Sequence, residues 1–213
     1  MKNKIYPKVF LWLFVGLLVT FVTGIYTQTN QSALEFIFVN NGYIVLIVLE
    51  LAVAVFLSAR IHKMSPITAK TCYLIYSFLS GLSFSAVFIV YKVESIMLVF
   101  LIASILFLLF ALLGYFTKLD LTKIGSFLLM MLLGVVICSI VNIFMHNETF
   151  DLVVTCISIL VFLGYIAYDI QSIKRLEGSI DEDNLAIYGA FQLYLDFINI
   201  IYDLLRLFGQ SDD

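Results

Sequence analysis

The chain has 213 residues, of which 62% are hydrophobic and only 13% charged, and its net charge is −3. A mean hydropathy of +1.07 lies outside the range of soluble domains and predicts an integral membrane protein whose first partner is the lipid bilayer. The acidic balance, with no basic-aromatic patch to offset it, excludes nucleic acid as a partner.

In chain order, Lys2, Lys4 and Lys8 precede an apolar run over 9–26. No A-x-A-like cleavage site follows, so the run is expected to be an uncleaved first transmembrane helix. A polar loop, TQTNQSALEF, leads to a second span at 42–59 that is interrupted only by Glu50. Ser65 and Pro66 open the third, 67–90, as helix cap and first helical residue. The fourth, 96–116, carries no charge, and the fifth, 124–144, follows Asp120, which is placed to cap its amino end. The sixth, 152–173, contains Asp169, and the seventh, 184–208, contains Asp196. Each is long enough to cross a hydrocarbon core roughly 30 Å thick. The expected fold class is all-α, a single polytopic membrane domain over 1–213 with seven transmembrane helices and no soluble domain.

Cys72, Cys138 and Cys156 all fall in apolar runs, and the expectation is small buried hydrophobes rather than disulfides or metal ligands. His62 and His146 flank different runs on opposite sides, which leaves no zinc site. If the amino terminus is cytoplasmic, that side collects Lys2, Lys4, Lys8, Arg60, Lys63, Lys70, Lys118, Lys123, Lys174 and Arg175, against Lys92 on the other, with Arg206 near the end of the last helix. This bias predicts a multi-pass protein of the cell membrane with a cytoplasmic amino terminus. The carboxyl terminus is outside if the last helix spans fully, and cytoplasmic if it is re-entrant.

Chemistry concentrates in the last two spans. Gln192, Asp196, Asn199, Asp203 and Arg206 are spaced four, three, four and three apart, so on a helix they form one narrow polar stripe. A carboxylate on such a stripe costs several kcal/mol against acyl chains unless it is paired, solvated or protonated. The stripe must therefore face a protein interior or a watery cavity, with the other six helices as its wall. Asp169 and Asp196 lie on consecutive antiparallel helices at similar distances from their connecting loop. Two carboxylates at one depth in a low dielectric tend to share a proton, so the pair is a candidate sensor of pH near neutrality and, when ionised, a candidate metal site for a divalent cation. The alternative is that Asp169 reaches the interface and pairs with Arg175, Lys174 or Arg60.

Glu50 lies ten residues before Arg60, roughly 15 Å deeper by helical rise. It is read either as lining a cation path or as a hydrogen-bonded structural residue. Arg60 is read as a positive-inside anchor, with a gate or latch as the alternative. Asp203 and Arg206 are expected to form a local ion pair, and Asp181, Glu182 and Asp183 to be solvated charge at a helix amino terminus.

The stretches LSARIHKMSPITAK, YSFLSGLSFSAVFIVYKVESI, GYFTKLDLTKIGSF, VNIF, YDIQSI and LYLDFINIIYDLLRLFG, in this order and spacing, resemble the Bax-inhibitor-motif family of small membrane proteins in its bacterial branch. The resemblance spans nearly the whole chain. It implies seven helices with the last wrapped by the other six, and a pH-sensitive calcium leak, with Ca2+ as permeant or bound ion and no other cofactor. The family's di-aspartyl pair falls on Asp169 and Asp196, and its second-helix glutamate on Glu50. The arginine that latches the pair in some members falls one position from Arg60, with Ile61 in register.

Three functions compete at this point. The first is a proton-regulated calcium or cation leak channel, with Asp169 and Asp196 as sensor and ion ligands and Glu50 deeper in the path. The second is a non-conducting protein that regulates other membrane proteins. The third, remote, is an intramembrane aspartyl protease. Tyr168-Asp169 in the sixth helix and an aspartate in the seventh imitate that pairing, but Leu193-Tyr194-Leu195-Asp196 replaces the expected G-x-G-D. A non-enzymatic role is the expectation.

Overall fold

Only Pro7 and Pro66 interrupt a sequence rich in apolar residues, so the backbone is free to satisfy its own hydrogen bonds as long helices, as a membrane requires. The computed structural model describes residues 5–39 and 42–210. Among these there is no β-strand. Seven helices are long and apolar enough to cross a membrane, namely α1 (Ile5–Gln28), α3 (Gly42–Arg60), α4 (Pro66–Val90), α5 (Val93–Phe116), α6 (Thr122–Met145), α7 (Glu148–Leu176) and α8 (Glu182–Phe208). The sequence places all seven but shortens several by a turn, because polar flanks such as Glu148 and Asp151 continue α7 beyond its apolar run. The expected loop after α1 is a correction. It holds a four-residue helix, α2 (Gln31–Leu34), capped by Asn30, and a π-helical turn, Glu35–Val39.

The helices group into two compact units. The first takes the chain up to Lys92 together with Leu176–Tyr194, and the second takes Val93–Arg175 with Leu195–Gln210. In the first, α1 and α4 cross closely at Gly81, where a β-carbon would stand 2.8 Å from the Thr20 carbonyl oxygen. Tyr73 reaches over Gly16 and donates its hydroxyl to the Trp12 carbonyl at 3.0 Å. Ser65 caps α4 by accepting from the Thr68 amide, with Pro66 at the first turn as expected. At the start of α8, Asp181 and Glu182 are exposed and Asp183 half-buried, which agrees with the reading as charge at a helix amino terminus, and each also has a partner. Asp181 caps the helix by accepting from the amides of Asp183 and Asn184. Glu182 pairs with Lys8 at 3.0 Å, and Asp183 with Lys70 at 2.6 Å.

In the second unit the ring of Phe197 on α8 meets Phe100 and Phe107 of α5 edge-on, each at 5.5 Å. Gly114 of α5 lies against Ala167 of α7, where a β-carbon would meet the Ala167 carbonyl oxygen at 2.4 Å. The amide of Gln171 closes the α5–α6 connection, accepting from the Leu121 amide and donating to the Leu119 carbonyl, both at 2.8 Å. Asp120 accepts from the backbone and hydroxyl of Thr122. These bonds, with Arg175 and Lys123 nearby, hold its carboxyl below the usual carboxylate range. At the other end His146 ends α6 in the left-handed region, φ 49°, which His tolerates better than a branched residue.

The apolar surface is distributed as a membrane demands. In the most apolar window of α8, 72% of residues are buried, against 6% in α6. Helix α8 thus has the most buried window of the seven, and α6 leaves Phe127, Met130, Leu133, Ile137 and Phe144 exposed. Cys156 is also exposed, and Cys72 and Cys138 are half-buried, which corrects the expectation that all three are buried. All three are free thiols.

Candidate functional site

Asp169 and Asp196 are 2% and 5% exposed, and their carboxyl groups are close enough to act on each other electrostatically. Two buried carboxyl groups this near each other avoid repulsion when one of them carries a proton that it can donate to the other. The second oxygen of Asp196 is buried with no hydrogen-bond partner among the described residues. Tyr165, one turn before Asp169, lies within electrostatic reach of both carboxyls.

Asp169 is buried, and no ion pair joins it to Arg175, Lys174 or Arg60 among the described residues. Arg175 acts on it only through space, because the guanidinium is bound to Thr122, paired with Asp120 at 3.6 Å and laid over the ring of Tyr168.

The pair belongs to a longer polar seam between α7 and the second half of α8. On α7, Asp151, Thr155, Ser158, Tyr165 and Asp169 are spaced four, three, seven and four apart, which keeps them on one face. Opposite them on α8 stand Asp196, Asp203 and Arg206. Asp203 lies beside Ser158, and Arg206 bonds Asp151. The expected Asp203–Arg206 pair is thereby corrected: the arginine extends to the neighbouring helix, although it still acts electrostatically on Asp203. Asn199 leaves the seam, since its amide donates to the Leu195 carbonyl of its own helix at 2.7 Å.

The seam ends in a cavity of about 590 Å³ lined by Asn142, His146, Glu148, Asp151 and Arg206 among others. Asn142 donates to Asp151 at 2.9 Å and accepts from the Asn147 amide at 3.2 Å, so the wall is fixed by its own hydrogen bonds. Sequence reasoning missed Asp151, Ser158 and Tyr165. Their spacing on α7 was the signal.

A model of the family described as inhibitor of apoptosis-promoting Bax1 matches residues 2–213. The chain belongs to this family. It is 39% identical over 209 residues to the inner membrane protein YbhL of Escherichia coli, covering 95% of this chain and 89% of that one. An uncharacterized protein of Borreliella burgdorferi is 35% identical over 98% of this chain and 93% of its own length. An uncharacterized membrane protein of Streptococcus pyogenes is 32% identical over 99% and 94%.

In this member of the Bax1-inhibitor family, Glu50 of α3 is half-buried, and its carboxylate accepts from the Ser83 hydroxyl of α4 at 2.5 Å. Arg60 stands exposed at the end of α3 and makes no ion pair among the described residues. No group of three or more His, Cys, Asp or Glu side chains able to hold a metal occurs among the described residues. A cation at the Asp169–Asp196 pair would therefore complete its shell with water or backbone oxygen.

Proposed function

We propose that this protein is a pH-sensitive calcium leak pathway of the membrane, controlled by the proton shared between Asp169 and Asp196. The observation that carries the reading is the burial of two neighbouring carboxyl groups in one apolar setting. With one proton the pair has a single negative charge and closes on itself. Without it, two like charges remain in a low dielectric, and they must separate, take up water or bind a cation. The polar seam supplies hydroxyls and carboxylates for such a cation, and Glu50 is assigned to the path by its position within a span. The amino terminus is assigned to the cytoplasm from the basic asymmetry, which a reporter near Gly178 inside and one near Asn147 outside would support.

The deciding experiment is calcium flux into liposomes containing the purified chain, measured across pH with potassium and sodium as competitors. Flux that changes with pH in the wild type and not in Asp169→Asn supports the channel. No flux above that of empty liposomes at any pH refutes it.

A further inference from the structure

The last turn of α3 and the turn after it sort their side chains into an inner and an outer set. Leu57 and Ile61, one turn apart, are 0% and 1% exposed and anchor the segment. Phe56 and Arg60, also one turn apart, point outward. The 3₁₀ turn Ile61–Lys63 follows, and since side chains three apart eclipse in that geometry, Lys63 comes to lie on the side of Arg60. Phe56, Arg60, Lys63 and Met64 together line a surface cavity of about 120 Å³.

The other basic groups nearby are occupied. Lys70 is paired with Asp183 at 2.6 Å, Lys8 with Glu182 at 3.0 Å, and the His62 ring lies 5.5 Å from that of Tyr188. Arg60 and Lys63 have no acidic partner among the described residues. Two full positive charges outweigh the roughly half negative charge at a helix carboxyl end. A guanidinium fork beside an ammonium is the donor set that suits a phosphate. Phe56, 51% exposed, lies one turn further into an apolar helix long enough to cross a membrane.

We propose that Phe56, Arg60 and Lys63 form a binding site for the headgroup phosphate of an anionic phospholipid, with Phe56 against its acyl chain. A free phosphate ion would gain nothing from Phe56. The site gives Arg60 a ligand of its own, independent of the Asp169–Asp196 pair and of any ion flux.

The test is native mass spectrometry of the full chain released from detergent with phosphatidylglycerol or phosphatidylcholine. The unmutated chain should retain phosphatidylglycerol in preference, and Arg60→Gln/Lys63→Gln should lose about tenfold of that preference. Lys118→Gln/Lys123→Gln, which removes the same charge elsewhere, should lose little. Phe56→Ser should weaken retention of phosphatidylglycerol, and millimolar inorganic phosphate should not displace it. Equal loss in the two double variants would mean diffuse attraction and overturn the site. Full displacement by inorganic phosphate would overturn the lipid as its ligand. The lipid preference of the unmutated chain needs no variant to fold, and its absence would end the proposal.

Discussion

Arg206, in the last turn of α8, bonds Asp151 in the first turn of α7 and not Asp203, three residues back on its own helix. The pair ties the carboxyl end of α8 to its neighbour. Arg206 and Asp151 side chains are 48% and 23% exposed, so solvent screening limits its worth to about 1 kcal/mol or less. Arg206→Gln and Asp151→Asn should each lower the thermal midpoint slightly in detergent, and the double variant should fall no further than the worse single one. Fully additive losses would mean that the two residues stabilise the protein independently.

The Asp169–Asp196 pair leads to a joint outcome. Asp169→Asn and Asp196→Asn should both abolish the pH response of calcium flux, whose midpoint is expected between roughly pH 6 and 8, because each removes one end of the shared proton. Asp203→Asn should retain it. A response that survives in both single variants, or one lost only in Asp203→Asn, would sink the shared-proton mechanism.

Asp120 offers a control with the opposite sign. Its carboxyl is held below the usual range by Thr122 and Arg175, so its bonds contribute stability above the unfolded value of about 3.9, lost only as pH falls through the lower folded value. Asp120→Asn should therefore leave the flux profile near neutrality in place. A midpoint that moved would mean that Arg175, released from Asp120, acts on Asp169.

At Glu50 the isostere separates charge from packing. Glu50→Gln keeps an oxygen to accept from Ser83 and should leave the protein folded while lowering calcium flux. Ser83→Ala, which removes the donor and keeps the carboxylate, should reduce flux less. Unchanged flux in a folded Glu50→Gln protein would return Glu50 to a structural role.

The seven helices were legible in the sequence because apolar runs mark the spans. The acidic pair was legible only in part: two aspartates on the consecutive helices of one hairpin can meet, but Asp169 lies nearer the end of α7 than Asp196 lies to the start of α8, so equal distance from the loop is not what brings them together. The partners of the charged ends were not legible. Arg206 has Asp203 at helical spacing, yet its long side chain reaches Asp151, which stood just outside the span expected for α7. Asp183 pairs with Lys70, which is distant in sequence, and no local pattern announces that contact. The turn at Glu35–Val39 was hidden for another reason: polar residues read as loop, while Asn30 quietly supplies the cap that starts a helix by accepting from the Ala33 amide.

One contact in the second unit sets a limit on how far the pair can travel. Asp169 comes two residues after Ala167, whose backbone rests on Gly114 with no side chain between them. The height of the carboxyl is thus referenced to a mechanical stop, main chain on main chain, and not to a yielding layer of side chains. Gly114→Ala would insert a single methyl group into that stop and, without touching any acid, throw the two aspartates out of alignment.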